Sequence, residues 1–262
     1  MALAGRAVSF DRAADFYDRT RGLSPELEQA QTELLAGELT GASRCLEIGV
    51  GTGRIGLPLA HAGIPVVGVD LSPAMLARLL GKDATAVPVA VADARALPFP
   101  GGVFDAVLAC HVLHLIEFWA DVVDEAMRVL RPGGRLLVSQ GGSPGDEARL
   151  AALRAELAAA AGLTGDHRVG LQDRAELDTY LAGRGATVRE LPELHNPTAR
   201  TVAEFLDQVA EGCYSWTWSV DPERVGVAAE QVRSAARQRW GDLTAVTVGA
   251  RAVRWHVYQL PG

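Results

Sequence analysis

The feature that most constrains the fold is a regular alternation of short apolar strands and helices between residues 44 and 139. The pattern predicts strands at 44–50, 66–71, 87–92, 104–111 and 135–139, and helices at 54–62, 73–80 and 118–130. A strand, a crossover helix and a second strand form a parallel unit. We therefore expect an α/β fold with a mostly parallel, doubly wound sheet that carries helices on both faces.

The second half of the chain departs from this alternation. Helices are predicted at 146–161 and 173–182, and strands at 186–191 and 252–260. Between those strands, residues 198–240 contain two further helical stretches. We interpret 198–240 as an inserted helical cap, 44–197 with 241–262 as the core, and 1–43 as an N-terminal helical segment.

Composition excludes several classes of protein. The 262-residue chain has a formal net charge of −7, which argues against a nucleic-acid backbone as partner, because such a partner needs a basic surface. No apolar stretch is long enough to cross a bilayer, and the N-terminus has no apolar region typical of a signal peptide. Cys45, Cys110 and Cys213 are too far apart to suggest a disulfide framework or a zinc site. We expect a cytoplasmic protein without a bound metal.

A glycine-rich turn follows the first predicted strand, in L-E-I-G-V-G-T-G-R (46–54). Gly49, Gly51 and Gly53 allow a sharp turn and a close approach of a ligand to the backbone. The helix that follows presents its N-terminus to the same point. Residues 51–56 also satisfy G-x-G-x-x-G, and Asp70 lies at the distance that a dinucleotide-binding motif requires. The glycines alone therefore leave open a nicotinamide nucleotide, S-adenosylmethionine or a purely structural turn.

Three further segments accompany this turn in a fixed order. They are V-V-G-V-D-L-S-P-A-M-L (66–76), A-D-A-R-A-L-P-F-P-G-G-V-F-D-A-V (92–107) and L-R-P-G-G-R-L-L-V (130–138). Together with 46–54 they resemble the class I S-adenosylmethionine-dependent methyltransferases, in particular the small-molecule and quinone-biosynthesis group. The resemblance covers about residues 44–140 and implies a Rossmann-like, seven-stranded sheet whose last strand is antiparallel.

The resemblance also implies how S-adenosylmethionine would be bound as cofactor. Asp70 would accept hydrogen bonds from both ribose hydroxyls, for which a carboxylate is suited. Leu71 and Met75 would pack on the adenine face. Asp93 would accept from the adenine amine while the amide of Ala94 donates to the ring.

Other residues would lie near the methionine end of the cofactor. Glu47 stands beside the glycine turn, where a carboxylate is favourable for a cationic sulfonium ligand. The segment F-Y-D-R-T-R (16–21) resembles the Y-D-x-x-R segment of the family and places Tyr17 and Arg21 on a lid helix. Arg21 is suited to the methionine carboxylate. The alternative is that this helix is merely exposed.

The fourth predicted strand ends in Cys110, His111 and, three residues on, His114. Strand ends at this edge of a doubly wound sheet face the ligand crevice. We expect Cys110 and His111 to line the cofactor site and His114 to be a candidate general base. The alternative for His114 is a polar residue in the wall of the pocket.

Tyr214, Trp216 and Trp218 lie in the predicted cap. If the segment is extended, their alternate spacing puts them on one face, where they would wall a pocket for the methyl acceptor. The alternative is that they form the core of the cap itself. The acidic charge and the aromatic residues favour a neutral or cationic acceptor.

These observations predict a methyltransferase that moves a methyl group from S-adenosylmethionine to a small molecule by in-line displacement. Two alternatives remain: a non-catalytic sensor of S-adenosylmethionine or S-adenosylhomocysteine, and an NAD-dependent oxidoreductase. We expect a monomer or homodimer that has no nucleic-acid or membrane partner.

Overall fold

The computed structural model describes residues 9–139, 147–163 and 169–262. Its strands are, in chain order, β1 (Cys45–Ile48), β2 (Val66–Asp70), β3 (Val89–Val91), β4 (Phe104–Cys110), β5 (Leu130–Ser139), β6 (Thr187–Glu190), β7 (Leu194–Thr201), β8 (Thr247–Val253) and β9 (His256–Gln259). Its helices are α1 (Tyr17–Arg21), α2 (Pro25–Glu38), α3 (Gly56–His61), α4 (Pro73–Lys82), α5 (Trp119–Val129), α6 (Glu147–Ala160), α7 (Arg174–Ala182), α8 (Val202–Ala210) and α9 (Pro222–Trp240).

Seven of these strands form one sheet in the order β3-β2-β1-β4-β5-β9-β6. The pairs from β3 to β5 are parallel, whereas β9 runs antiparallel to both β5 and β6. The predicted α/β, Rossmann-like sheet with an antiparallel last strand is therefore confirmed.

The core lies around the central strands. Residues 106–109 of β4 are all buried, as expected of a parallel strand that is covered on both faces. Helix α5 contributes a buried stripe at helical spacing, which consists of Val122, Val123, Ala126 and Val129. This packing fixes the position of the loop that leaves β4.

Serine caps begin two helices next to the edge of the sheet. Ser24 accepts a hydrogen bond from the amide of Leu27, with Pro25 at the first position of α2. Ser72 accepts from the amide of Met75 at 3.1 Å and begins α4 directly after β2. The chain therefore turns sharply at the carboxyl end of β2.

Two strands differ from the predicted bounds. The predicted third strand, 87–92, is reduced to β3. The predicted fifth strand, 135–139, is longer than expected: residues 131–134 lie within β5, where Gly133 has a φ of 71° and the register with β4 shifts. Because the left-handed glycine is accommodated as an irregularity in the ladder, the strand begins at Leu130 and not at residue 135.

The predicted closing strand, 252–260, is wrong in its first part. The β-branched segment of β8 pairs with β7 in a separate two-stranded sheet, and the seven-stranded sheet receives only β9. The side chain of Trp255, between β8 and β9, is fully buried, and its indole N–H donates to Gln31 at 3.3 Å.

The chain divides into two compact units. The first comprises 1–141, 169–194 and 254–262, and therefore includes the predicted lid segment. The second comprises 142–168 and 195–253. Its bounds differ from those of the predicted cap, 198–240, because α6 packs on α9, where Arg239 pairs with Glu156 at 2.9 Å.

None of the helices in the described ranges combines the length and apolar character that a bilayer crossing requires.

Candidate functional site

The carboxyl ends of β1, β2 and β4 meet at one edge of the sheet. Ile48 of β1 is in register with Val69 of β2 on one side and with Ala109 of β4 on the other. The residues at or just after the end of each strand, 49–53, 70–72 and 110–114, are therefore brought together. Most of the predicted cofactor residues belong to these three segments.

The glycine turn has backbone conformations that favour glycine. Gly49 and Gly51 have φ values of 69° and 55°. The amide of Gly49 donates to the carbonyl of Val69 at 2.8 Å, which ties the turn to β2. A side chain at Gly49 would collide with Val112, so the close approach also requires glycine.

Asp70 ends β2 beneath this turn. Its Oδ2 accepts from the amide of Gly51 at 2.9 Å, and its Oδ1 accepts from the amide of Ser72 at 2.8 Å. Burial raises the pKa of Asp70, although these two amides act in the opposite direction. Both oxygens are thereby held in place, and each retains a lone pair for a further donor.

Glu47, on β1, is the second carboxylate under the turn and is only 2% exposed. Burial, and then the charge of Asp70, raise its pKa well above its usual value, against the lowering effect of the Gly56 amide and Arg54. By hydrogen-bond geometry, Oε2 has no partner within the described ranges. A side chain at Gly56 would lie 2.7 Å from this oxygen, so the carboxylate fills the space beneath the start of α3.

A network that sequence reasoning missed joins α1 to the glycine turn. The hydroxyl of Thr52 donates to Asp18 at 2.5 Å. Lys82, the only lysine of the chain, pairs with Asp18 at 2.7 Å and donates to the carbonyl of Thr52 at 2.8 Å. Thr52 lies 34 positions from Asp18 and 30 positions from Lys82 in the sequence. No local motif therefore marks these contacts.

Two more aspartates of the N-terminal segment contact the start and surface of α4. Asp11 accepts from the hydroxyl of Ser72 at 2.5 Å and from the amide of Ala74 at 3.2 Å. The hydroxyl of Ser72 lowers the pKa of Asp11. Asp15 forms an ion pair with Arg78. The segment before α2 is thus held against α4 by polar contacts.

Tyr17 is placed beside the glycine turn, since its ring lies 5.9 Å from Cζ of Arg54. The ring of Phe10 packs edge-on against it at 5.8 Å. The side chain of Arg21, predicted to act with Tyr17, lies outside the described part of the structure.

Leu71 and Met75 differ in exposure. Leu71 is 39% exposed at the edge of the sheet, whereas Met75 is 2% exposed. A side chain at Gly51 would lie 3.2 Å from Cε of Met75, so this methionine packs beneath the turn. Leu71 therefore offers the larger apolar surface to a ligand.

Asp93 follows β3 and is bound by Arg95, a residue that we did not single out from the sequence. Nη2 of Arg95 donates to Oδ2 at 2.7 Å, and its Nε and backbone amide donate to Oδ1 at 3.1 and 2.9 Å. The guanidinium lowers the pKa of Asp93, which favours the carboxylate form. Ala94, between them, is buried. The only sequence signal was an arginine two positions after the aspartate.

The loop after β4 contains an unusual backbone conformation. His111 has a φ of 56°, a left-handed value that is uncommon for a residue with a side chain. Its amide donates to the carbonyl of Ser139 at 2.8 Å, and its ring lies 6.3 Å from the ring of His114. His114 is half-buried, and its carbonyl accepts from Gly170. Cys110, half-buried, ends the strand.

Asp105, near the start of β4, makes contacts that hold the segment before β1. It accepts from the amides of Ser43 and Arg44 at 2.7 and 2.9 Å, and pairs with Arg131 at 2.5 Å. Burial would raise the pKa of Asp105, but the contacts to Ser43, Arg44 and Arg131 outweigh it and the pKa is lowered.

The aromatic residues of the second unit are arranged differently from the extended segment that we considered. Residues Ser215–Thr217 form a 3₁₀ turn, so alternation along a strand does not apply. Tyr214 is buried and packs on Phe205 at 5.5 Å and on Trp216 at 6.2 Å between ring centroids. The indole of Trp218 donates to the carbonyl of Gly212 at 2.7 Å. Tyr214 thus belongs to the core of this unit.

Sequence comparison identifies a known domain and known relatives. Residues 46–138 match the family described as a methyltransferase domain. Demethylmenaquinone methyltransferase from Tropheryma whipplei (strain Twist) is 34% identical over 140 residues, which are 52% of this chain and 58% of that protein. The enzyme of the same name from Thermus thermophilus is 38% identical over 141 residues, with the same coverage. The matched region thus spans little more than half of these curated relatives.

Solved structures agree on the fold. The YcgJ protein from Bacillus subtilis has a TM-score of 0.59 at 18% identity, covering 89% of this chain and 100% of its own. A Haemonchus contortus phosphoethanolamine N-methyltransferase, solved with S-adenosylhomocysteine, has a TM-score of 0.57 at 17% identity, covering 96% and 58%. Residues 46–138, which include the glycine turn, are therefore similar to a methyltransferase domain, and the order of the strands agrees with the fold of these structures.

Proposed function

We propose that the chain transfers a methyl group from S-adenosylmethionine to a small-molecule acceptor. Its similarity to demethylmenaquinone methyltransferases supports this activity, because the matched residues include the glycine turn and the ends of β1, β2 and β4. Bound S-adenosylmethionine would supply an electrophilic methyl group. The protein would contribute mainly by orienting the two reactants, which can raise their effective concentration by orders of magnitude.

The observation that carries this proposal is the position of Asp70. Its oxygens are fixed by the amides of Gly51 and Ser72, one on each, beside the glycine turn at the edge of the sheet. Two held carboxylate oxygens suit two neighbouring hydroxyls, such as those of a ribose. We assign Asp70 to the ribose of the cofactor.

Other predicted residues fit the same cofactor. Glu47 has a buried oxygen that lacks a protein donor in the described part of the chain, next to the glycines, which suits a cationic methionine end. Asp93, kept ionised by Arg95, suits the adenine amine, and the exposed Leu71 suits the adenine face. Tyr17, beside Arg54, is also proposed to contact the cofactor. The contact of Arg21 with the methionine carboxylate stays a prediction.

His114 is our candidate for the group that accepts a proton from the acceptor. It follows the same strand as His111, and an imidazole has a pKa suited to proton transfer near neutral pH. The left-handed conformation of His111 fixes the direction of this loop. We further propose that the aromatic residues Tyr214, Trp216 and Trp218 recognise the acceptor. We also propose that the protein is cytoplasmic and is a monomer or homodimer.

Calorimetry with S-adenosylmethionine, S-adenosylhomocysteine and NAD tests the cofactor. We expect Asp70→Ala to lose about 2–4 kcal/mol of affinity for the first two, because two hydrogen bonds to a charged group are removed. Asp124→Ala, which removes an exposed carboxylate of α5 in the same unit, is the matched control. Unchanged affinity in Asp70→Ala, or binding of NAD alone, would contradict the proposal. Binding without methyl transfer to any acceptor would indicate a sensor.

A further inference from the structure

Arg200, at the end of β7 in the second unit, is held through Nη1 of its guanidinium. Its Nη1 donates to Oε1 of Gln208 at 3.1 Å and to the hydroxyl of Tyr214. That hydroxyl in turn donates to the same Oε1 at 2.9 Å. Both acceptors are neutral, so the guanidinium is fixed in place while its positive charge is not neutralised by them.

The opposite edge of this guanidinium has no acceptor among the residues that the structure describes. Nε is buried and makes no hydrogen bond, and no carboxylate in the described ranges lies within ion-pair distance of Arg200. The acids of α8 are engaged elsewhere: Asp207 pairs with Arg233 at 2.6 Å, and Glu204 closes the cap at Thr201. A buried N–H without an acceptor is unfavourable, and an anionic ligand would remove that cost.

Aromatic rings surround this arginine. Its Cζ lies 5.1 Å from the ring centroid of Phe205 and 5.8 Å from that of Tyr214. Trp216 packs on Tyr214, and its indole nitrogen is a second buried donor that lacks an acceptor among the residues described. Two donors without acceptors therefore share one aromatic cluster.

We propose that this cluster binds the carboxylate of a planar aromatic acid. Nε and Nη2 of an arginine present parallel N–H groups that match a carboxylate, and Nη1 is already pinned so that this edge is the one left. The half-buried ring of Trp216, held against the buried Tyr214, would contact the aromatic part of the ligand.

This inference rests on the proposed function for one step only, namely that the ligand is the methyl acceptor. The acceptor class would then be aromatic carboxylic acids. That differs from the neutral or cationic acceptor that composition favoured, because the net charge of −7 describes the whole chain and not the surroundings of Arg200.

Calorimetry on the full chain with 4-hydroxybenzoate and 4-hydroxybenzamide tests the site, since the probes differ in charge but scarcely in size. We expect the wild type to bind the carboxylate at least about tenfold more tightly than the amide, the effect of a charge-assisted hydrogen bond. Arg200→Gln should abolish this preference, and Arg200→Lys, which lacks the fork, should retain only part of it.

Arg237→Gln is the matched control, because it removes an equal charge from an exposed position of α9. It should keep the full preference for the carboxylate. Inorganic phosphate should bind more weakly than 4-hydroxybenzoate, since it lacks a ring to contact the aromatic cluster. Circular dichroism checks that each variant is folded. If Arg200→Gln does not fold, the wild type is compared with Arg200→Lys instead.

Three results would overturn the inference: equal affinity for the two probes, absence of binding by both, or an undiminished preference in the Arg200 variants. An S-adenosylmethionine titration of the same preparations separates the two proposals. If S-adenosylmethionine binds but the charge preference is absent, only the acceptor site is wrong. If the preference is present but S-adenosylmethionine does not bind, the site stands and the methyltransferase function is wrong.

Discussion

Replacing Glu47 by glutamine should stabilise the protein without cofactor and weaken its binding of S-adenosylmethionine. Glu47 is 2% exposed, its Oε2 has no hydrogen-bond partner in the described part of the chain, and the charge of Asp70 is nearby. The substitution removes a buried charge and keeps the shape of the side chain. In the proposed function, that charge is stabilised only when a cationic ligand is bound.

The size and pH dependence of the effect follow from the burial of this carboxylate. A buried group without a partner costs about 1–3 kcal/mol, and each kcal/mol corresponds to about 2–4 °C in Tm for a chain of this length. Because burial raises the pKa of Glu47, the folded state binds a proton more tightly than the unfolded state. The stability of the wild type therefore decreases as the pH rises from the unfolded value of 4.5 through the raised folded pKa.

Thermal unfolding of the two proteins, without cofactor, measures this difference. Glu47→Gln should have the higher Tm at about pH 8, and the two proteins should converge towards pH 4.5. Glu33→Gln, on the exposed face of α2, should change the stability by no more than about 0.5 kcal/mol. A lower Tm for Glu47→Gln at alkaline pH would refute the reasoning, since it would mean that the folded protein stabilises the carboxylate.

Two further predictions concern contacts that fix the edge of the sheet. Asp105→Asn should lower the free energy of unfolding, measured in urea, by about 1–2 kcal/mol, because the amides of Ser43 and Arg44 lose a charged acceptor. The pKa of Asp105 is lowered in the folded state, so its carboxylate contributes stability at higher pH and loses that contribution as the pH falls below 3.8. A difference between the two proteins that persisted unchanged well below pH 3.8 would contradict this reasoning. Lys82→Gln should speed hydrogen exchange in α1 by weakening the contact to Asp18, whereas Lys82→Arg should not; equal exchange in both variants would exclude the contact as the anchor.

The sheet and much of the candidate site could be predicted because their signals are local. An apolar strand, a glycine turn and a helix cap each occupy a few consecutive residues. Once β1 and β2 are parallel neighbours, the register of Ile48 with Val69 places the glycine turn beside Asp70. The position of this carboxylate therefore follows from the strand order alone.

The contacts of the N-terminal segment could not be predicted in the same way. Asp18 and Lys82 are separated by four strands and helices in the chain, and either could have paired with another charge. Arg95 was overlooked although it lies only two positions from Asp93. In a loop sequence, no pattern distinguishes an arginine that binds a neighbouring carboxylate from one that is solvated. Side-chain pairing depends on the assembled backbone, which periodicity does not describe.

Charge distinguishes between the two cofactors that the glycine turn leaves open. A dinucleotide would bring an anionic pyrophosphate to this turn, as helix N-termini and glycine loops accept. Here, the same turn stands over two carboxylates, Glu47 and Asp70, with Arg54 as the nearby positive charge that acts on Glu47. A pyrophosphate would add negative charge beside a buried Glu47, whereas a sulfonium and an ammonium group would compensate it. In the proposed function, Glu47 on β1, and not the glycines themselves, would therefore carry the preference for S-adenosylmethionine.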